Sequence, residues 1–255
     1  ALGVALLSRR AKDVDPEIRR SCFEAMRRWA GVDAATFLEQ QWTRYLHFGM
    51  GDRDPKVRSA VFAVLHDLLR DDPNVPAQIV AALIEHSKPK ILARCHDVDP
   101  AVGAAAVRCV SSIAAREMLA ESEYDPVIDL VWDSDAQRRV EAAAFISRFV
   151  LTEDILDYPT KNGPHSGGLM PTGAGGGAVA RRRVTMLLQF LVEYSEGHFR
   201  LVDRFAAALW RRASCIEDWE AMAGLMLQTA GDGALSGPMH IALVHLAEAV
   251  AHLAA

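Results

Sequence analysis

The 255-residue chain predicts an all-α protein built as a right-handed solenoid of helical repeats, and three observations carry that reading. A short motif recurs along the first half; each copy is followed by an apolar stripe at helical spacing; and no alternating β-branched run bounded by turns marks a strand.

The motif is Asp13-Val14-Asp15-Pro16-Glu17-Ile18-Arg19. It returns as Asp52-Arg53-Asp54-Pro55-Lys56-Val57-Arg58 and as Asp97-Val98-Asp99-Pro100-Ala101-Val102-Gly103, and decays to Asp133-Ser134-Asp135-Ala136-Gln137-Arg138-Arg139. Successive second aspartates lie 39, 45 and 36 residues apart. A period near 40 is that of HEAT/armadillo-type repeats, one helical hairpin each. The second Asp is an N-cap, its carboxylate accepting from orphan backbone amides. Pro follows at the first helical position, where its missing N–H costs nothing. The Arg after the Ile or Val (Arg19, Arg58, Arg139) is placed to reach acceptors of the adjoining repeat, and Gly103 breaks that series.

After Pro16 the predicted buried stripe is Ile18, Cys22, Ala25, Met26 and Trp29; after Pro55 it is Val57, Val61, Val64, Leu65 and Leu68; after Pro100 it is Ala106, Val107, Val110 and Ile113. Partner helices are expected at about 35–50, 76–94 and 126–132, and a further helix at 136–150. Residues 157–179, ending in Gly173-Ala174-Gly175-Gly176-Gly177, lack large apolar side chains and read as a flexible loop. Helices resume at about 180–195, 199–213, 216–229 and 238–253. The predicted organisation is repeats over 1–156, the loop over 157–179, and further hairpins of the same solenoid over 180–255. Arg181, Arg182 and Arg183 are expected at a helix start, where positive charge opposes the macrodipole.

Hydrophobic residues make up 51% and charged residues 24% of the chain, as in folded soluble proteins. Net charge is −5, unevenly spread: residues 1–60 hold 11 Lys and Arg against 8 Asp and Glu. No apolar run approaches the ~18 residues of a membrane helix. The four cysteines are far apart, without metal-ligand or redox spacing, and read as reduced. The start at Ala1, without Met, suggests a piece of a longer protein.

Signs of catalysis are wanting in the sequence. The Gly-rich tract has neither the Gly-Lys-Ser/Thr end nor the preceding strand of a phosphate loop, and the nine histidines show no His-Glu-x-x-His. The expectation is a binding protein, not an enzyme, with no catalytic residues, metal or cofactor. Aromatics concentrate instead: Phe23, Trp29, Phe37, Trp42, Tyr45 and Phe48 fall within 26 residues. Trp29 and Phe37 read as core. Over 35–50 the aromatics spread across roughly 140° of helix, wide for one buried stripe. The end near Tyr45 and Phe48 is therefore expected to stay partly exposed, flanked by Arg44 and Arg53 as an anchor with a charged rim, with Phe48 open between a core and an interface role.

These residues also carry a family resemblance. Asp15-Pro16-Glu17-Ile18-Arg19, Cys22, Trp29, Phe37-Leu38, Arg44-Tyr45, Asp52-Arg53 and Val57-Arg58 resemble, in order, the stromalin conservative domain that marks the cohesin subunit SA family. Leu187-Leu188-Gln189-Phe190 with Glu193, Leu201-Val202-Asp203, Leu209-Trp210 and Asp218-Trp219-Glu220 resemble the helices that follow it. The resemblance implies a nuclear, chromatin-associated scaffold of cohesin that binds the kleisin subunit, engages DNA through the larger protein, and offers cohesin regulators a docking surface for short aromatic peptides. The partner-binding residues it implies are Arg44, Tyr45, Phe48 and Arg53. Where the family has Lys-Tyr-x-Gly-Trp, this chain has Arg44-Tyr45-Leu46-His47-Phe48, and the following helix has no counterpart aromatic between Ala82 and Lys90. The alternative is an unrelated HEAT-repeat scaffold of the transport or phosphatase type, sharing only the repeat.

Overall fold

The computed structural model describes Leu7, residues 9–70, 75–151, 176–195 and 201–210, Arg212, and residues 214–228 and 235–254. Among these, every regular element is helical. The chain forms two compact units, Ala1–Val127 and Ile128–Ala255. The first contains α1 (Pro16–Ala30), α2 (Ala34–Phe37), α3 (Gln40–Gly49), α4 (Pro55–Leu68), α5 (Ala77–Arg94) and α6 (Pro100–Ala114). The second contains α7 (Ala136–Phe145), α8 (Gly176–Tyr194), α9 (Val202–Leu209), α10 (Trp219–Leu227) and α11 (Gly237–Ala254).

Each motif aspartate does what its position demands. Asp15 accepts from Glu17 N at 2.9 Å, Asp54 from Lys56 N at 2.8 Å, Asp99 from Ala101 N at 3.0 Å and Asp135 from Gln137 N at 2.8 Å. The cap persists at Asp135 although the following Pro is gone. In the first unit α1 packs on α4 and α4 on α6, forming one layer, while α3 packs on α4 and α5 on α6 as their partners.

The motif arginine has two tasks, of which spacing suggested only one. Arg58 Nη1 donates to the carbonyls of Asp52 (2.8 Å) and Arg53 (3.1 Å), closing its own turn. Its Nε and Nη2 donate in a fork to Asp97 of the next repeat, at 2.9 and 2.5 Å. Arg19 repeats the arrangement one repeat earlier, with Asp13 and Val14 carbonyls on Nη1 and Asp52 on the fork at 2.7 and 2.7 Å. The first Asp of the second and third motifs, given no task by the sequence reading, is therefore the acceptor of the preceding repeat's arginine. At Gly103 the series stops. Asp133 is served by its own Asp135 N–H (2.7 Å) and by Arg138 Nη1 (3.1 Å), and Arg139 keeps the turn-closing task through Asp133 and Ser134 carbonyls.

Several sequence expectations shift. The stripes of α4 and α6 are buried as predicted, but in α1 the interior belongs to Phe23, Met26 and Ala30, and of the predicted set only Met26 is buried. Phe23 carries more apolar area than Cys22, so burial favours the face it heads. Trp29, expected in the core, is 40% exposed, whereas Phe37 is buried. The partner helix over 35–50 divides into α2 and α3 at Leu38–Glu39, and 126–132 forms short turns, Asp125–Ile128 and Asp129–Trp132. The helix from Ala136 ends at Phe145 and continues as one π-helical turn, Ile146–Val150. α8 begins at Gly176, inside the stretch read as loop; the remainder of that loop, 157–175, lies outside the described residues. Arg181–Arg183 accordingly sit past the first turn of α8, where the macrodipole has little hold.

In the second unit α7 packs on α9, α9 on α11, and α8 on α10 and α11. Trp132, Phe205 and Phe190 form a run of near-parallel rings, 5.2 and 5.8 Å between centroids.

The Arg58–Asp97 pair is buried, with side-chain exposures of 7% and 0%. Removing one partner of such a pair strands the other charge, so Arg58→Ala should destabilise the first unit by about 3–5 kcal/mol. Arg27→Ala, which breaks the exposed pair with Asp67, should cost under about 1 kcal/mol. Urea denaturation of the two variants measures the contrast.

Acid should act on the same pair. Burial pushes the Asp97 carboxyl upward, but the Arg58 fork and the Asp99 N–H outweigh it and hold it below the ordinary 3.8. A depressed carboxyl stabilises the fold fully above its unfolded value and loses that stabilisation as pH falls through the folded one. Unfolding should therefore set in below about pH 4, with a shallower pH dependence in Asp97→Asn, read by circular dichroism across an acid titration.

Candidate docking surface around Phe48

Helix α3 is set by what its neighbours require. Trp42, Tyr45, Leu46 and Met50 turn inward. Phe37, Trp42 and Tyr45 form a tilted run of rings, with centroids 5.3 and 6.1 Å apart, that leads from the core towards the surface. Gly49 lies where α3 meets α1 and α4: a Cβ there would fall 2.6 Å from Val61 Cγ2 and 2.7 Å from Phe23 Cζ. Only a residue without a side chain allows this approach.

Helix α5 fixes the C-terminal end. Lys90 Nζ donates to the His47 carbonyl at 2.6 Å, satisfying one of the last acceptors of α3. His47 Nε2 lies 3.1 Å from the hydroxyl of the fully buried Ser87. Burial, then the charge of Lys90 and the nearby His86, push the His47 pKa below its ordinary 6.5, so the ring is neutral at neutral pH.

With its neighbours on the helix turned inward, Phe48 is left 57% exposed. Lys12 Nζ stands over its ring, 5.0 Å from the centroid, and 5.9 Å from that of Tyr45. Arg44 Cζ stands 5.1 Å from the Tyr45 centroid. Gly51 N–H donates to the Phe48 carbonyl at 3.0 Å, and Arg53, exposed, lies two residues further in the same turn.

Of the four residues singled out in the sequence, Arg44, Phe48 and Arg53 are exposed at this end of α3. Tyr45 is not: it is only 8% exposed and supports the surface from beneath. Lys12 and Lys90 were missed. Lys12 precedes the first motif aspartate and Lys90 lies 43 residues after His47, and no local spacing links either to Phe48.

Among the described residues no group of three or more His, Cys, Asp or Glu is placed to hold a metal ion, and no helix is long and apolar enough to cross a membrane.

Gly49→Ala should lower stability by about 1–3 kcal/mol through overpacking against Phe23 and Val61. A paired Gly49→Ala/Val61→Ala variant, which removes the closest clash, should cost less than the sum of the two single changes; thermal melts on the single and paired variants check this.

Residues 12–81 match the stromalin conservative domain, and they contain α1 to α4, with Lys12, Arg44, Tyr45, Phe48 and Arg53. The chain is similar to sister-chromatid cohesion protein 3 of Arabidopsis thaliana, 20% identical over 222 residues, which cover 87% of this chain and 19% of that protein. It is also similar to cohesin subunit SA-1 of Xenopus laevis, 25% identical over 245 residues, covering 93% of this chain and 18% of that one. Among solved structures, cohesin subunit Scc3 from Z. rouxii superposes with a TM-score of 0.67 at 18% identity, covering 96% of this chain and 30% of that one, a likeness of fold. The chain thus spans less than a fifth of the length of these curated relatives.

Proposed function

We propose, from the premise that this chain belongs to the cohesin SA (stromalin) family, that it is part of an interaction scaffold of the cohesin complex in the nucleus and on chromatin, not of an enzyme. In this reading the protein binds a kleisin subunit along its helical repeats and acts in sister-chromatid cohesion and chromosome organisation. Cohesin regulators dock short aromatic peptides on the surface formed by Arg44, Tyr45, Phe48 and Arg53, and the larger protein engages DNA.

The observation that carries the docking part is the exposed Phe48 on a helix whose other large apolar side chains, Trp42, Tyr45 and Leu46, are buried. Aromatic side chains rimmed by charge are the usual anchors of interfaces. Helix α3 is held by Gly49 packing on one side and the Lys90–His47 bond on the other, so the anchor sits on a rigid element. Phe48 in place of the family's Trp leaves a smaller anchor, and Tyr45 lies below it as a floor.

Titration calorimetry of this chain against the kleisin of the same organism tests the scaffold: saturable binding is expected, and its absence from a folded chain and from the full-length protein would sink the reading. Phe48→Ala should weaken regulator-peptide binding by about 2 kcal/mol or more and leave the melting temperature nearly unchanged. A large drop in melting temperature would instead assign Phe48 to the core.

A further inference from the structure

The hydroxyls of Ser111 and Ser112 on α6 and of Thr185 on α8 donate to the carbonyl four residues back in the same helix. Ser122 differs. It is exposed, it sits in the three-residue 3-10 turn Glu121–Glu123 that follows α6, and its side chain makes no hydrogen bond among the described residues. Such a turn is short and weakly bonded, so it can be drawn out into extended chain at small cost.

The surroundings of Ser122 carry one sign of charge. Glu123 follows it, Asp125 stands three residues on and is exposed, and no Lys or Arg occurs within five residues on either side. The turn is fastened to the rest of the first unit through Glu123, whose carboxylate accepts from Ala120 N at 2.8 Å and from Lys88 Nζ of α5 at 2.9 Å. Lys88 also donates to the Met118 carbonyl at 3.3 Å, so one ammonium holds both ends of the segment 118–123.

Protein kinases select among exposed hydroxyls by the charge pattern around them. We propose that Ser122 is a phosphorylation site for an acid-directed protein kinase, one whose basic substrate groove reads the carboxylates of Glu123 and Asp125, and that the phosphate loosens the turn from α5. In the step, Ser122 Oγ bonds to the γ-phosphorus of ATP, the bond from that phosphorus to the β–γ bridging oxygen breaks, ADP leaves, and the hydroxyl proton passes to the kinase's catalytic base. The product carries a charge of about −1.5 to −2 at pH 7 beside Glu123. It repels that carboxylate and competes with it for Lys88, so the Ala120 cap and the Lys88 bridge weaken together.

The test incubates the 255-residue chain with purified casein kinase 2 and ATP, and maps the phosphate by mass spectrometry. It should lie on Ser122, be missing from Ser122→Ala of unchanged melting temperature, and persist in Ser122→Thr. Asp125→Asn, at an exposed position, should slow its transfer about fivefold or more. On the phosphorylated chain the Ala120 amide should exchange its hydrogen faster than before. No phosphate at Ser122, while a standard acidic peptide is phosphorylated in the same mixture, would overturn the site. Equal rates for wild type and Asp125→Asn would overturn its acid-directed character, and unchanged exchange at Ala120 would overturn the loosening of the turn.

Discussion

Three parts of the first unit meet at the guanidinium of Arg58: the turn that opens its own helix, through the carbonyls of Asp52 and Arg53, the next repeat, through Asp97, and the end of α5, whose Arg94 shares the same carboxylate. Burying a charge is tolerable only when its hydrogen-bonding capacity is met. Here the Asp97 carboxylate accepts from Arg58 twice, from Arg94 and from the Asp99 amide. A lysine in place of Arg58 could not do the same, because the arrangement uses the planar fork on one side and a third nitrogen on the other. Arg19 repeats it with Asp52, so each repeat of the first unit is tied to the next by the motif that starts its helix.

That tie matters for what the surface offers. The layer of α1, α4 and α6 gives α3 a fixed wall to lie against, and Gly49 brings it close enough for Trp42, Leu46 and Met50 to be covered. Once those side chains are inside, helical geometry leaves Phe48 outside. Its exposure is a consequence of packing elsewhere, which is how a large apolar group can be held in water without the loop around it collapsing onto it.

The shifted titratable groups follow structural causes. Asp52 and Asp97 are pushed up by burial and brought below their ordinary values by the arginine ladder. Burial is the main cause that drives the thiols of Cys95 and Cys215 up to about 12, as expected of cysteines that serve as small core residues. Shifts of this kind belong to a framework.

The repeat, the helical class and the N-caps were legible in the sequence because each depends on residues a few positions apart: Asp before Pro, then an apolar stripe at helical spacing. The same holds for the family resemblance, which rides on ordered local motifs. What the sequence left undecided needed residues brought together across repeats. The first motif aspartate acquires its role from an arginine 33 or 39 residues earlier. Trp29 and Tyr45 exchanged their expected surroundings because burial is settled by which neighbouring helix covers a face, not by the hydrophobicity of the residue itself. Lys12 and Lys90 joined Phe48 from α1's approach and from α5, and a charge's partner, or lack of one, is a property of the space around it that only the tertiary structure fills.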